Sequence, residues 1–231
     1  MKYLRLPTFS NAESCPYIPE KECTHEYFLA MDFDEIELNK FLSKGWRKFG
    51  IYYFRPSCKN CIECLPIRVL VNKFVLSKSK KRVLQTGNDI SIHFNRLRYS
   101  DDIYNIYRDH SLNRFNFETD RDEFIFNFYY QSCPSFQSEY YLNDKLIAVG
   151  FLDKTTDALS SVYFIYRTEY SHYSLGTYSI LKEIEYSKKL KLKYYYLGYY
   201  IKGNTSMTYK NRFIPYELYD WNQQEWIRNI E

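Results

Sequence analysis

Residues 158–201 read ALSSVYFIYRTEYSHYSLGTYSILKEIEYSKKLKLKYYYLGYYI, and this stretch alternates strand and helix patterns. The apolar and aromatic run from Leu159 to Tyr166 predicts a strand, and the run YYYLGYYI at 194–201 predicts another. Between them, Ser174 and Gly176 open a segment that predicts a helix ending near Leu190.

Two more strands are predicted just before this stretch, in FQSEYYL (136–142) and LIAVGFLD (146–153). Asn143-Asp144 lies between them, and such a pair favours the tight turn of a hairpin. A strand meander followed by a helix and a strand is typical of an acetyltransferase-like (GNAT-like) α/β domain with a mixed sheet. The predicted fold class is therefore α+β.

The rest of the chain gives weaker but readable patterns. Ser100 can cap a helix with apolar residues at helical spacing, and Asp34 can cap an earlier helix that ends before Gly45. In chain order, the further predicted elements are a helix over 34–44, strands over 48–54, 67–71 and 90–94, a helix from 100 and a helix over 122–130.

The composition, with 45% apolar residues and only 7 Gly and 7 Pro, indicates a folded globular protein. A targeting segment is not expected, nor is a membrane partner, because the longest apolar runs are far shorter than a bilayer requires. These features predict a cytoplasmic protein whose 6 cysteines stay reduced. The net charge of +4 does not by itself indicate a nucleic acid, and a DNA partner is not expected.

The cysteines have metal-ligand spacing. Cys58, Cys61 and Cys64 form a C-x2-C-x2-C run, which is one thiolate short of a tetrathiolate site. Cys15 is the preferred fourth ligand and Cys23 the alternative, and the site would hold either zinc or a [4Fe-4S] cluster. The predicted domains are a cysteine-rich metal-binding domain at 1–93 and the acetyltransferase-like domain at 94–231.

Several segments resemble the arginyl/leucyl-tRNA–protein transferases, in the same order and without large gaps. They are GWRKFGIYYFRPSCKNCIECLPIRV (45–69), FVLSKSKKRV (74–83), VGFLD (149–153), ALSSVYFIY (158–166), SLGTYSILKEIEYSK (174–188), YYYLGYYIKG (194–203) and MTYKNRFIPYE (207–217). The compact length is similar to that of the bacterial branch, which transfers leucine to proteins with N-terminal Asp or Glu in the N-end rule degradation pathway. The resemblance places Cys15, Cys58, Cys61 and Cys64 on the family's cysteines, and relatives use theirs for an iron–sulfur cluster.

The resemblance implies a site for aminoacyl-tRNA and an acidic acceptor, with no nucleotide cofactor. An aminoacyl ester is already activated, so the site needs positioning, oxyanion stabilisation and one proton transfer, but no nucleophile. We assign tRNA phosphates to Lys78, Lys80, Lys81 and Arg82, and the terminal adenosine or a phosphate to the helix start at Ser174, Gly176 and Thr177. The candidates for holding the acceptor carboxylate are Arg82, Arg68, Arg212 and Lys210, and those for a general base are Asp153 and Glu183.

Three alternatives stay open from the sequence. The transferred residue could be arginine instead of leucine. The chain could be an acetyl-CoA-dependent N-acetyltransferase, although Gly176 stands alone where a pyrophosphate loop would be glycine-rich. It could also be a metal-containing RNA-binding module without catalysis, in which basic and aromatic side chains clamp RNA.

Overall fold

The chain forms a large eight-stranded sheet, a smaller four-stranded sheet, a two-stranded pairing and five α-helices within residues 1–229, the part that this computed structural model describes. The first elements are β1 (Lys2–Phe9), β2 (Glu13–Ser14), β3 (Glu22–Cys23), β4 (His25–Met31), α1 (Glu35–Leu42), β5 (Arg47–Phe49), β6 (Tyr52–Pro56) and β7 (Leu65–Leu70). The middle elements are α2 (Lys78–Thr86), β8 (Ser91–Arg96), α3 (Asp101–Phe115) and α4 (Arg121–Tyr129). The last are β9 (Ser135–Leu142), β10 (Lys145–Lys154), β11 (Ala158–Tyr166), α5 (Leu175–Lys189), β12 (Tyr194–Tyr200), β13 (Tyr216–Asp220) and β14 (Glu225–Asn229).

Local chemistry explains where the clearest elements begin and turn. Asp34 accepts the backbone N–H of Glu37 at 2.7 Å, and the Glu37 carboxylate accepts the Asp34 N–H, so a capping box starts α1 as predicted. Asn143 and Asp144 both adopt positive φ, which confirms the tight hairpin between β9 and β10. The predicted strand over 48–54 is instead two strands, β5 and β6, because the chain turns at Gly50, whose φ is +51°.

The large sheet has eight strands in the order β14-β13-β7-β12-β11-β10-β9-β8 within the described residues. The pairing of β11 with β12 is parallel and that of the other neighbours is antiparallel, so this is the mixed sheet of the predicted α+β class. Residues 146–153 of β10 are all buried, as expected for a strand covered on both faces.

Helices cover the two faces of this sheet. On one face, Ile106 of α3 and Phe124 and Phe128 of α4 pack with Phe151 and Ile165 of the sheet. On the other face, α5 packs its apolar side on β7 and β12, and α2 packs beside α5. The basic block at 78–82, left unassigned from the sequence, is thus the start of a helix capped by Ser77.

The smaller sheet, in the order β1-β4-β6-β5, packs against the large one through aromatic side chains. Phe28, Trp46 and Tyr53 form one cluster with Ala158 and Tyr196 of the large sheet. In addition, β7 lies between β13 and β12, so the large sheet takes strands from both sides of residue 93. The division into domains at 1–93 and 94–231 stays a prediction.

None of the helices at residues 1–229 combines the length and apolar character needed to cross a membrane.

Candidate active site

The two parallel strands separate at their carboxyl ends. Their pairing covers Ala158–Ser160 of β11 and Tyr194–Tyr196 of β12, whereas the strands continue to Tyr166 and Tyr200. Each keeps its other neighbour over this length, since β11 stays paired with β10 and β12 with β7. A wedge therefore opens between residues 161–166 and 197–201, and we call it the β11–β12 wedge. Backbone groups along its two edges are available to a substrate, and carboxyl ends of parallel strands are a common place for ligands.

A bulge at Gly198 shapes one edge of the wedge. The register of β12 against β7 shifts between Tyr196 and Tyr199, and Gly198 has φ +78°, a conformation that favours glycine. Two cations use the carbonyls of this bulge. Arg47 Nη2 donates to Gly198 O at 3.4 Å, and Lys210 Nζ donates to Tyr199 O at 2.7 Å.

Arg47, on β5, is only 6% exposed and lies over the rings of Tyr196 and Tyr199, at 4.9 and 5.7 Å from their centroids. Lys210 belongs to a short 3-10 helix at Thr208–Arg212. Burial, together with the charge of the nearby Arg47 guanidinium, lowers the pKa of Lys210 to about 8. The lysine therefore titrates close to neutral pH, unlike a solvated lysine.

Tyrosines surround this cationic pair. Burial, with smaller effects of the Tyr107 and Tyr17 phenols, raises the pKa of the Tyr163 phenol to about 12. Burial also raises the pKa of Tyr199, whose hydroxyl donates to Gly45 O at 2.9 Å. These phenols remain neutral at physiological pH, so the mouth of the wedge is aromatic and positively charged.

Glu183, one of the two predicted bases, lies behind the wedge on α5 and is 1% exposed. Ser138 Oγ and Tyr140 Oη donate to its Oε1 at 3.0 and 3.2 Å, and Tyr195 Oη donates to its Oε2. Burial raises the pKa of Glu183 to about 7, while these three hydrogen bonds act in the opposite direction. No sequence pattern indicated these hydroxyls, two of which come from β9 and one from β12.

The carboxylate of Asp153, the other predicted base, already has an ion-pair partner and hydrogen-bond donors within the chain. Its Oδ1 lies 3.3 Å from Lys48 Nζ and accepts from Ser135 Oγ at 2.6 Å and from Cys133 Sγ at 3.4 Å. Asp153 is 1% exposed, and Cys133 is a buried residue of the core.

Arg68, proposed for the acceptor carboxylate, is likewise engaged within the chain. Its Nε and Nη2 donate to Glu217 Oε2 at 2.7 and 2.6 Å, and the guanidinium lies between the rings of Tyr194 and Trp226.

The basic residues of α2 lie at one end of that helix. Lys78, Lys81 and Arg82 are exposed, and Lys80 Nζ donates to Arg212 O at 2.6 Å. The end of α2 instead contacts the start of α5, where Tyr178 Oη donates to Gly87 O at 2.8 Å. The structure therefore brings Lys80 beside Arg212, and the end of α2 beside the start of α5.

The start of α5 is open but uncapped by a side chain. Ser174 adopts the left-handed conformation (φ +53°), and its hydroxyl makes no capping hydrogen bond. A Cβ added at Gly176 would meet nothing within 4 Å, and Thr177 is half-buried. Space for a ligand exists here, without an observed partner group.

The prediction of zinc or a [4Fe-4S] cluster at Cys15, Cys58, Cys61 and Cys64 is wrong. Within residues 1–229, the structure contains no group of three or more His, Cys, Asp or Glu side chains arranged to hold a metal ion. A cysteine-rich metal domain in the N-terminal part is therefore not shown by the described residues.

Several of the sulfurs have hydrogen-bond partners within the chain. Cys58 Sγ is hydrogen-bonded to the backbone of Thr24, and Cys61 Sγ accepts from Lys21 Nζ at 3.7 Å. Burial, together with the nearby Cys58, Cys15, Cys61 and Cys23, raises the pKa of Cys64 to about 12, so this thiol keeps its proton. The alternative ligand, Cys23, donates to the carbonyl of Ser14.

Comparison with known proteins agrees across most of the chain. Residues 13–82 match the family model "Arginine-tRNA-protein transferase, N terminus", and residues 100–220 match "Arginine-tRNA-protein transferase, C terminus". A protein named aspartate/glutamate leucyltransferase from Helicobacter hepaticus is 33% identical, over 91% of this chain and 90% of its own length. One of the same name from Marinobacter nauticus is 30% identical, over 88% of each chain.

Among solved structures, the crystal structure of FemX aligns with 72% of this chain and 60% of its own, with a TM-score of 0.48 and 10% identity. That likeness is too low to support a conclusion. The family models and the curated relatives are enough: the chain belongs to the arginine-tRNA-protein transferase family.

Proposed function

We propose that this protein transfers leucine from leucyl-tRNA to the N-terminal α-amine of proteins that begin with Asp or Glu. The observation that carries the proposal is the similarity along nearly the whole chain to proteins named aspartate/glutamate leucyltransferase. The β11–β12 wedge, with its free strand edges and two cations, supplies a place for the reaction.

The reaction requires little from the protein beyond positioning the aminoacyl ester and the acceptor amine. The acceptor's α-amine, with an ordinary pKa of about 8, attacks the ester carbonyl carbon in its neutral form. A C–N bond forms, the C–O bond to the terminal ribose breaks, and the ribose oxygen takes up the proton that the nitrogen loses. Holding the two substrates together and stabilising the oxyanion can supply most of the rate enhancement.

The charge of the wedge favours leucine over arginine as the transferred residue. The side chains that surround it are neutral phenols and the two cations Arg47 and Lys210. A second guanidinium brought to this place would meet like charges, whereas a leucyl side chain would meet aromatic surface.

The remaining residue assignments stay predictions. Lys78, Lys80, Lys81 and Arg82 would hold tRNA phosphates, and the α5 start at 174–177 would hold the terminal adenosine. Glu183 suits a proton acceptor better than Asp153, because its pKa of about 7 is near the operating pH and it has no cationic partner among the described residues.

The wider setting is part of the same proposal. Leucine added to an acidic N-terminus would mark the protein for degradation by the N-end rule pathway. The partners would be leucyl-tRNA and acidic-start proteins, and the location would be the cytoplasm, where charged tRNAs are used. In this proposal, the domain at 94–231 is acetyltransferase-like.

One assay tests the proposal. Purified protein is mixed with leucyl-tRNA or arginyl-tRNA and with peptides that begin with Asp, Glu or Ala, and transfer is followed by mass spectrometry. We expect leucine on the Asp and Glu peptides and none on the Ala peptide. Transfer of arginine alone would replace the leucyl assignment, and no transfer from either tRNA would refute the proposal. Acetylation from acetyl-CoA, or RNA binding that ignores aminoacylation, would favour the alternatives.

A matched pair of glycine variants locates the reaction. Gly198 and Gly203 both have positive φ, +78° and +82°, so an alanine is strained by about 1–2 kcal/mol at either position. Only the Cβ at Gly198 lies near a wedge group, 3.8 Å from Lys210 Nζ. We expect Gly198→Ala to lose leucine transfer and Gly203→Ala to keep it, when the two variants are folded to the same extent.

A further inference from the structure

Two buried cations near the wedge have carboxylate partners within the chain. Lys48 pairs with Asp153 at 3.3 Å, and Arg68 pairs with Glu217 at 2.6 Å. All four side chains are less than about a sixth exposed. This is the usual arrangement, because a buried charge without a counter-ion is strongly unfavourable.

Arg47 and Lys210 do not follow this arrangement. Neither forms an ion pair with an acid in residues 1–229, and their hydrogen bonds go to the carbonyls of Trp46, Gly198 and Tyr199. Arg47 Nε is buried and has no hydrogen-bond partner at all among these residues.

The two cations also repel each other. The charge of Arg47 contributes to the lowered pKa of Lys210. Asp153 acts on Arg47 through space, but its carboxylate is already paired with Lys48. An anion from outside the chain would relieve both the desolvation and the repulsion.

We propose that Lys210, backed by Arg47 behind the Gly198 bulge, binds the side-chain carboxylate of the acceptor's N-terminal Asp or Glu. This rests on the proposed function and assigns its acceptor selectivity to one site. Lys210 makes the direct contact because it is partly exposed, whereas Arg47 adds positive potential from its buried position.

A carboxylate fits this place better than a tRNA phosphate. The pair presents one partly exposed cation, Lys210, with the buried Arg47 behind it, which suits a single small anion on a flexible chain end. The exposed lysines of α2 are a more accessible surface for the phosphates of a rigid acceptor stem.

The competing role for Lys210 is that of a proton acceptor for the α-ammonium group. The two roles differ in what they do to selectivity. A carboxylate-binding residue distinguishes Asp from Asn, which have the same shape and differ in charge. A proton acceptor serves both peptides equally.

The test compares kcat/KM for two peptides that differ only in Asp or Asn at position 1, with leucyl-tRNA as donor. In the wild type we expect the Asp peptide to be preferred. In Lys210→Met the preference should fall by about 10- to 100-fold, the range for a hydrogen bond to a charged group, chiefly through the KM of the Asp peptide. Lys210→Arg should retain most of it. Lys202→Met removes an exposed lysine on the same segment and should leave the preference unchanged.

An unchanged Asp-to-Asn ratio in Lys210→Met, with both rates reduced together, would overturn the proposal and make Lys210 a proton-transfer residue. Weaker tRNA binding in Lys210→Met, with the ratio intact, would overturn it in favour of a phosphate contact. Absence of transfer by the wild type to any peptide would instead refute the proposed function.

The wild type gives a second readout that does not depend on a variant folding. With Lys210 at a pKa of about 8, and with Arg47 and the neutral Tyr199 beside it, the lysine loses its charge as the pH rises through 8. The Asp-to-Asn ratio of kcat/KM should therefore decline above pH 8, and a ratio that is flat from pH 6.5 to 9.5 would contradict the proposal.

Discussion

Replacing Glu183 by glutamine should make stability less sensitive to pH. The folded protein raises the pKa of this carboxyl to about 7 from an ordinary 4.5, so between these values the folded state holds a proton that the unfolded state has lost. The contribution of Glu183 to the free energy of unfolding is therefore fully present below pH 4.5 and is lost as the pH rises through 7.

The size of the effect follows from the same values. Each unit of difference is worth about 1.4 kcal/mol, so the contribution of Glu183 declines by about 3 kcal/mol between pH 4.5 and pH 7.5. Glutamine has no such titration, and its amide can still bond with the hydroxyls of Ser138, Tyr140 and Tyr195. The free energy of unfolding of Glu183→Gln, relative to that of the wild type, should therefore increase by about 3 kcal/mol between pH 4.5 and pH 7.5.

Urea denaturation at half-unit steps of pH measures this, with the difference in free energy of unfolding plotted against pH. Glu185→Gln is the control, since Glu185 lies on the same helix but is exposed and its pKa is lowered by Lys182. That variant should change slightly and in the opposite direction. A difference between Glu183→Gln and wild type that stays constant from pH 4.5 to 7.5 would show that the folded-state pKa is not raised.

Two further predictions concern charged side chains. Lys48→Met leaves the Asp153 carboxylate buried without its cation and should destabilise the protein by about 3–5 kcal/mol in urea denaturation, whereas Lys154→Met, at a partly exposed pair with Glu35, should cost about 1 kcal/mol or less. The double variant Lys80→Ala and Lys81→Ala should weaken tRNA binding and lower the slope of log affinity against log salt by about 1.5 to 2 if both lysines contact phosphates, and an unchanged slope in filter-binding assays would remove the tRNA role from α2.

The central elements were predictable because their signals are local. The hairpin at Asn143-Asp144 depends on two adjacent residues, and α5 and its flanking strands have long, strongly periodic patterns. The break at Gly50 was missed because the apolar pattern of 48–54 continues through the turn, and only a positive φ reveals it. The helix α2 was missed because most of its residues are basic or polar, so the few apolar positions that face α5 give only a weak helical pattern.

The candidate site was harder to predict because its parts come together only in the fold. Arg47 and Lys210 are far apart in sequence and meet at the two carbonyls of one bulge. Arg68 was a reasonable carboxylate ligand by residue type, but its partner Glu217 is supplied by a strand near the end of the chain. The cysteine spacing suggested convergence on a metal, whereas the sulfurs of Cys58 and Cys61 are hydrogen-bonded to Thr24 and Lys21.

The position of β7 has a consequence for how the protein is made. This strand is synthesised long before both of its neighbours, β12 and β13. Until then its largely apolar edges lack their hydrogen-bonding partners, and closing the sheet requires contacts between residues distant in sequence, which slows folding. A nascent chain that stops before residue 194 exposes β7 as an unpaired, aggregation-prone strand, so chaperone dependence during synthesis is built into the order of the strands.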